Sequence, residues 1–366
     1  MMRQVKIGVI GCGAVAQVQH LPNLNQLHRE FEVSIVCDIS EGAAAAAARR
    51  FHVPKYVTDY TELLDSDAEA VLLCHRDPKT EVALAAFDAG KHVFIEKPVC
   101  FSLQELEKMI AAQQKVNKVA QAGYMKVYDP AFQIAKAEVD SMDSYRFVQI
   151  NHLHPNNQLH LSQFNVERFD DVSQENLIPA QSAREAARID AIGEVSTEAQ
   201  RAFFLLSGSM IHDIYSLRMM LGPPSQVISA EVWSEGQGVS IVFGFPNGAR
   251  CIATWVDLPD LWDFKETLEI YGDDKRVLVS YPTGFSRGIL SEVVIQGIDK
   301  NGTTYSKTPK IEWVSAFVQE LRHFHECITT DKTCYTPLES ARLDIQLIIN
   351  IVKCYVDRAP VKCEYG

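Results

Sequence analysis

The sequence predicts an α/β fold in two parts: a parallel sheet flanked by helices over residues 1–124, then an α+β part over 125–366 built on an antiparallel sheet. Three observations predict it. Short apolar, β-branched runs alternate with helix-like stretches as far as residue 123, which implies parallel strands joined by right-handed crossovers. After residue 225 the period changes to two, with hairpin turns between consecutive runs. The chain has 366 residues, 47% hydrophobic and 22% charged, as expected of globular domains with substantial cores.

The first run, 5–10, meets Gly11-Cys12-Gly13-Ala14-Val15-Ala16 and then a helix-like stretch through Leu21. Strand, glycine turn and helix in that order can hold a dinucleotide pyrophosphate. Gly11 permits the tight turn, Gly13 lets the backbone approach the phosphates, and Ala16 is small enough for helix and strand to pack closely. The N–H groups at the helix start, around Ala14 and Val15, face the negative charge. The same residues also suit a strand end that only turns, so an acidic residue closing the next strand is the test. That strand, 32–37, ends in Asp38. A carboxylate there accepts hydrogen bonds from the adenosine ribose hydroxyls and repels a 2′-phosphate, which favours NAD over NADP. Asp38 lies somewhat beyond the usual spacing of ~20 residues. Asp38 or Ser40 could instead cap the helix at 41–51, whose six consecutive alanines favour helix.

The alternation continues with strands at 55–58 and 70–74, a helix at 80–89 closed by Gly90, and a strand at 92–95. Ser102 with Glu105 makes a capping box for a helix at 103–117, and 119–123 is the last strand. Ligands bind at the carboxyl ends of such strands. Those ends carry Gly11, Asp38, Cys74-His75, Glu96-Lys97 and Tyr124, and Cys74, His75 and Glu96 join the candidate cofactor site. Lys97, between Glu96 and Pro98, is either a proton donor at the cleft mouth or a solvated lysine paired with a carboxylate.

These residues resemble the Gfo/Idh/MocA family, the glucose–fructose oxidoreductase and inositol dehydrogenase group. The resemblance rests on Gly11–Ala16 as spelled out above, His20-Leu21-Pro22, Asp38, Ala89-Gly90-Lys91-His92-Val93, Glu96-Lys97-Pro98, and His212-Asp213 with Leu217-Arg218 and Leu221-Gly222. It is close over the first 125 residues and holds in outline beyond them. It implies a Rossmann domain followed by a substrate-binding and oligomerisation domain with a large, open, mostly antiparallel sheet, assembled as a homodimer or homotetramer. It also implies that Lys97 contacts the nicotinamide ribose and the reacting hydroxyl, and that His212 is the general acid/base. Two departures stand out. Gly208 occupies the position, four before the histidine, where relatives often carry Asp. Ser209 is on the same face as His212, whereas Asp213 is turned about 100° away. The loop Cys74-His75-Arg76-Asp77-Pro78 is one residue shorter than the family's, with Thr80 where a histidine is usual, so His75 is expected to line the nicotinamide pocket.

In the second part, Asp129-Pro130 starts a helix to about 139. A strand at 145–150 leads into His152 and His154, which share a face on an extended chain. They suit the lining of a hydroxylated-substrate pocket, a metal site, or a structural role; Tyr124 joins them as a candidate for orienting substrate hydroxyls. No third metal ligand is evident nearby in sequence, and no metal is expected. Residues 156–195 read as a polar excursion bordering the cleft, with a helix at 182–191. Helices follow at 197–206 and 209–221. His212 near the second start is either a base tuned by the helix N-terminus or a core histidine. Strands are expected at 226–233, 239–245, 249–258, 266–271, 275–280, 292–298 and 303–306. Their apolar face comprises Ile241, Phe243, Phe245, Ile252 and Trp255, with helices on one side of the sheet and a second subunit on the other. Helices at 312–329 and 338–356 end the chain. In the first, His323 and His325 are two apart and cannot share a ligand face.

A net charge of −12 argues against nucleic acid or an anionic membrane as partner. Nine cysteines, an odd number without a CxxC, fit reduced thiols in a cytoplasmic protein better than a disulfide framework. The N-terminus shows no signal-peptide pattern, and no run is long enough to span a membrane. The resulting expectation is an NAD(P)-dependent dehydrogenase acting on the secondary hydroxyl or ketone of a sugar, cyclitol or related polyol. The rival readings are a redox-neutral, NAD-using glycosidase-like enzyme and a non-catalytic NAD- or sugar-binding regulator.

Overall fold

A computed structural model describes residues 3–365. The chain divides into two compact units that interleave along the sequence. The first takes in residues up to Tyr124 together with 161–193 and 317–342, and the second holds the remaining segments.

The first unit is built on six strands: β1 (Val5–Ile10), β2 (Phe31–Cys37), β3 (Lys55–Val57), β4 (Ala70–Leu73), β5 (His92–Glu96) and β6 (Ala120–Gly123). Their order is β3-β2-β1-β4-β5-β6, and every pairing is parallel. This is the doubly wound order in which the chain reverses direction beside β1, so the carboxyl ends of β1 and β4 open a crevice. The strands are almost wholly apolar because helices cover both faces. Local chemistry fixes the element ends. Ser40 caps the helix Glu41–Phe51 by accepting from the Ala43 N–H at 3.0 Å. Ser102 and Glu105 form the complete capping box of Leu103–Val116.

The polar excursion is more ordered than its weak periodicity predicts. It holds a helix of 19 residues, Gln174–Ile192, with Pro179 inside its first turns. Its apolar stripe is thin because most of this helix is exposed. The segment before it is tied to the first unit. Gln17 and Glu167 exchange two hydrogen bonds of 3.0 and 2.9 Å, and Asp171 accepts from the Gly42 N–H at 2.8 Å.

The second unit carries nine strands: β7 (Phe147–His154), β8 (Gln226–Trp233), β9 (Gly238–Gly244), β10 (Arg250–Asp257), β11 (Lys265–Tyr271), β12 (Lys275–Tyr281), β13 (Glu292–Ile298), β14 (Thr304–Lys307) and β15 (Val361–Lys362). They are ordered β14-β13-β12-β11-β7-β10-β9-β8-β15. All pairings are antiparallel except β7 with β10. β7 therefore runs on through both histidines, four residues past its expected end.

Two expectations need correcting. Ile252 does not share the face of Ile241, Phe243 and Trp255. On β10 it alternates with buried Cys251 and Ala253, pairs with Val242, and is 41% exposed. Nor do two separate helices precede residue 222. Thr197–Leu205 passes through a π-helical segment, Leu206–Met210, directly into Ile211–Leu221. The glycine at 208, expected between helices, sits inside this segment, and His212 has no helix N-terminus behind it.

Candidate functional site

Within the first unit, the glycine turn is shaped by what it touches. Gly11 has φ 98°, and a Cβ there would lie 2.3 Å from the His75 N. Only glycine lets the ends of β1 and β4 approach so closely. The opposite holds at Gly13, which is exposed and has nothing within 4 Å of a would-be Cβ. That open backbone is what a pyrophosphate requires. Ala14 and Val15, half-buried, begin the helix that follows, and Ala16–His20 is π-helical. π segments recur at functional sites because they reaim one turn of side chains.

Asp38 stands at the carboxyl end of β2, half-buried. One oxygen accepts from the Cys12 N–H at 2.7 Å and the other from the Ser40 N–H at 2.9 Å. Since Ser40 takes the capping role, Asp38 is tied to the glycine turn and borders the space beside Gly13. Phe169 occupies the place of a Gly42 side chain, so the 161–193 segment flanks the same end of the sheet.

Cys74 and His75 follow β4. The Cys74 thiol donates to the Gly11 carbonyl at 3.4 Å, and burial holds it far above its ordinary pKa. Both His75 ring nitrogens are buried, near the Ile10 and Pro78 backbone but without a full hydrogen bond. Burial, then the Lys79 charge, lowers its pKa to about 4, so it is a neutral imidazole at neutral pH. Orphaned polar atoms of this kind fit a bound polar ligand. With the open Gly13 amide and Asp38, they make this set of residues suited to a dinucleotide.

Glu96 is buried at the end of β5. It meets His20 Nε2 at 2.6 Å and accepts from the Lys97 N–H at 3.0 Å. Burial pushes its pKa up, but His20, Lys97 and Lys79 together bring it below the usual value. Glu320 lies beside it, fully buried, with neither carboxylate oxygen hydrogen-bonded. Burial and the Glu96 charge hold Glu320 protonated. Lys79, also buried, pairs with Asp77 and donates to the Pro98 carbonyl at 3.2 Å, tying the 75–79 loop to the turn after Lys97. Lys97 itself is half-buried. Tyr124, at the end of β6, is 1% exposed and packed within this unit.

In the second unit, His152 is buried on β7. Its Nδ1 meets Asp213 Oδ2 at 2.7 Å, and its Nε2 lies 3.2 Å from His154 Nδ1. Asp213, one residue past His212, thus enters the cluster on the side its 100° offset dictates. Glu266 of β11 lies directly across from His152 and forms a buried ion pair with Lys126. Burial raises the Asp213 pKa, but His152 and Lys126 outweigh it and hold the group ionised. Burial, with the Asp213 charge, raises Glu266 despite Lys126.

Lys126 also sits over the Tyr281 ring, 4.6 Å from its centre. Its backbone N–H donates to the Tyr215 hydroxyl at 3.3 Å, and that hydroxyl meets His212 Nδ1 at 2.8 Å. A hydroxyl can donate or accept, so Tyr215 can pair with His212 in either tautomer. Ser209, one turn before His212, accepts from Trp255 Nε1 at 3.0 Å. Aromatic groups form a wall beside this network. His154 stacks on Trp255 with centres 5.4 Å apart, and Phe264 meets His152, His154 and His160 edge-on.

Sequence reasoning found His152, His154 and His212 here and missed Lys126, Glu266, Tyr215 and Phe264. Lys126 directly follows Tyr124-Met125, and only the sheet order brings Glu266 beside His152. No local pattern marks either. Asp213 carried a signal in its adjacency to His212.

Comparison with known proteins agrees with this geometry. Residues 5–124 match the Gfo/Idh/MocA model, described as an oxidoreductase family with an NAD-binding Rossmann fold. Inositol 2-dehydrogenase of Salmonella paratyphi B is 35% identical over 141 residues, which are 37% of this chain and 42% of that protein. An inositol 2-dehydrogenase/D-chiro-inositol 3-dehydrogenase of Lacticaseibacillus casei is 35% identical over 158 residues, 42% of this chain and 45% of that one. Each match thus spans less than half of the relative. The fold similarity extends further: levoglucosan dehydrogenase in complex with NADH superposes over 100% of both chains with a TM-score of 0.77 at 16% identity. The segment 5–124, with its open glycine turn and its carboxylate at the end of β2, is thus similar to the NAD-binding Rossmann part of the Gfo/Idh/MocA oxidoreductases.

Proposed function

We propose that the protein is an NAD(P)-dependent dehydrogenase, with NAD preferred, acting on a secondary hydroxyl or ketone of a sugar, cyclitol or related polyol. The observation that carries the reading is Asp38, bonded to the Cys12 amide beside the open Gly13 backbone. A carboxylate so placed accepts from a ribose diol and repels a 2′-phosphate. The inositol and levoglucosan dehydrogenases among its relatives support the substrate class.

Gly11, Gly13, Ala14 and Val15 would cradle the pyrophosphate, Asp38 the adenosine ribose, and Cys74, His75, Glu96 and Lys97 would border the nicotinamide end. The nicotinamide, when bound, supplies the hydride acceptor or donor. Lys97 and His212 are assigned the hydroxyl proton, and His212 is suited to this because Tyr215 accommodates both of its tautomers. His154 and its aromatic wall, with His152 behind, are suited to a hydroxylated ring, whose C–H face packs on aromatics while its hydroxyls seek imidazole nitrogens. Tyr124 keeps its assignment as a substrate-orienting residue. We place the protein in a reducing compartment, the cytoplasm, as a homodimer or homotetramer.

The test is thermal stabilisation by NAD and NADP, followed by turnover on inositols, aldoses and sugar acids. NAD is expected to stabilise more than NADP, and Asp38→Ala to erase that preference. Lys97→Ala is expected to keep the NAD-induced shift and lose roughly 10²-fold or more in turnover. Stronger stabilisation by NADP would overturn the role of Asp38. NAD binding without turnover on any substrate, or with turnover that leaves no net reduced cofactor, would overturn the dehydrogenase assignment.

A further inference from the structure

A third cluster lies in the first unit. His323 and Cys327 are four apart on the helix Ala316–Thr330, so they stand one above the other on one face. Cys334, from the segment after that helix, completes the group. One ligand atom from each of the three lies within 4.8 Å of the others. The sequence offered no such set, because Cys334 belongs to no repeat or CxxC and joins only through the turn at 331–337.

Two features suit the cluster to a soft divalent cation. Two thiols and an imidazole are the donors that select zinc over hard cations, and three protein ligands leave a fourth tetrahedral position open. The imidazole is held in the tautomer that can ligate. The Tyr335 N–H donates to His323 Nε2 at 2.9 Å, and Cys327 Sγ lies 3.3 Å from the same nitrogen. The Nε2 lone pair thus accepts from the Tyr335 amide with the sulfur beside it, and the ring proton is on Nδ1.

The other two buried groups of potential ligands are accounted for otherwise. Lys126 with Glu266 and His152 with Asp213 already form buried ion pairs, and His20 is already paired with Glu96. In the His323 cluster the nearby cation, Lys332, is engaged by Glu326 at 2.6 Å.

We propose that His323, Cys327 and Cys334 form a zinc-binding site. Binding would take the Nε2 lone pair from the Tyr335 amide and release the thiol protons to solvent. A divalent ion between two thiolates is electrically neutral, which suits a half-buried position.

The test uses the full chain, reduced with a phosphine, stripped of metal and titrated with cobalt(II) as a spectroscopic stand-in. One equivalent is expected to produce thiolate-to-cobalt charge-transfer absorption, and zinc to displace it. Cys334→Ser, at a half-buried position, and His323→Gln are expected to weaken binding at least tenfold, while Cys363→Ser changes nothing. Cys327→Ser should abolish the band, and circular dichroism would report whether that buried variant folds. If it does not, Cys334→Ser decides. Absence of a stoichiometric band overturns the proposal, as does its survival in Cys334→Ser. A chain that loses two thiols to a Cys327–Cys334 disulfide in air, yet binds no metal when reduced, also overturns it.

Discussion

Glu320 shows how much a single residue can hide. In sequence it is an ordinary helix glutamate, and in the fold it is an uncharged acid beside the ionised Glu96. The folded chain keeps the Glu320 proton to a higher pH than the unfolded chain does. It therefore binds more protons across that interval, and stability falls as pH rises through it. Glu320→Gln removes the ionisation while keeping the shape. Its melting temperature relative to the parent is expected to climb as pH rises above the ordinary glutamate range and to converge with it below that range. A parallel pH profile for the two proteins would refute the protonated assignment. His75 has the opposite sign. Its lowered pKa contributes stability that is present above the ordinary histidine value and is lost as pH falls toward about 4. At this scale the sequence exposes residues whose neighbours are local, such as Ser102 with Glu105. Lys126 and Glu266 were hidden because their pairing depends on a strand order set far away in the chain.

Among the elements, the glycine turn between β1 and its helix was the most legible, because its requirements are backbone requirements. Gly11 needs a positive φ and the absence of a Cβ against His75, and glycine meets both. Gly11→Ala is expected to destabilise the chain by roughly 2 kcal/mol or more and to abolish NAD stabilisation, measured by denaturant titration and thermal shift. An alanine variant with parent stability would show that β1 and β4 need not approach so closely. The hairpins from β8 to β14 were legible for a similar reason: alternation and turn residues are local. The π segment at Leu206–Met210 was not, since no residue type announces an i→i+5 bond. It carries the helix past Gly208 without a break and leaves His212 mid-helix, oriented by Tyr215. A would-be Cβ at Gly208 meets nothing within 4 Å, so the position has room for the acidic residue common in relatives.

For the whole molecule, composition and net charge argue against some classes of partner and name none. Among the described residues, no helix is long and apolar enough to cross a membrane. The outer face of the large sheet bears on assembly. Ile252 and Ile298 are exposed there at 41% and 51%, on strands whose opposite faces are buried. In the proposed oligomer this face is covered, so Ile252→Lys is expected to lower the molecular mass seen by light scattering while leaving the melting of the isolated subunit within about 0.5 kcal/mol of the parent. An unchanged mass would move the interface elsewhere. By itself the sequence determined the alternating first part, the nucleotide turn with Asp38, the hairpin succession and the helix caps, since each depends on residues close together in the chain. Only the tertiary structure decided the parallel pairing of β7 with β10, the return of 161–193 and 317–342 to the first unit, and the clusters around Glu266, Glu320 and Cys334. Those depend on which distant segments a folded backbone brings within a few ångströms, and side-chain burial is fixed only when they arrive.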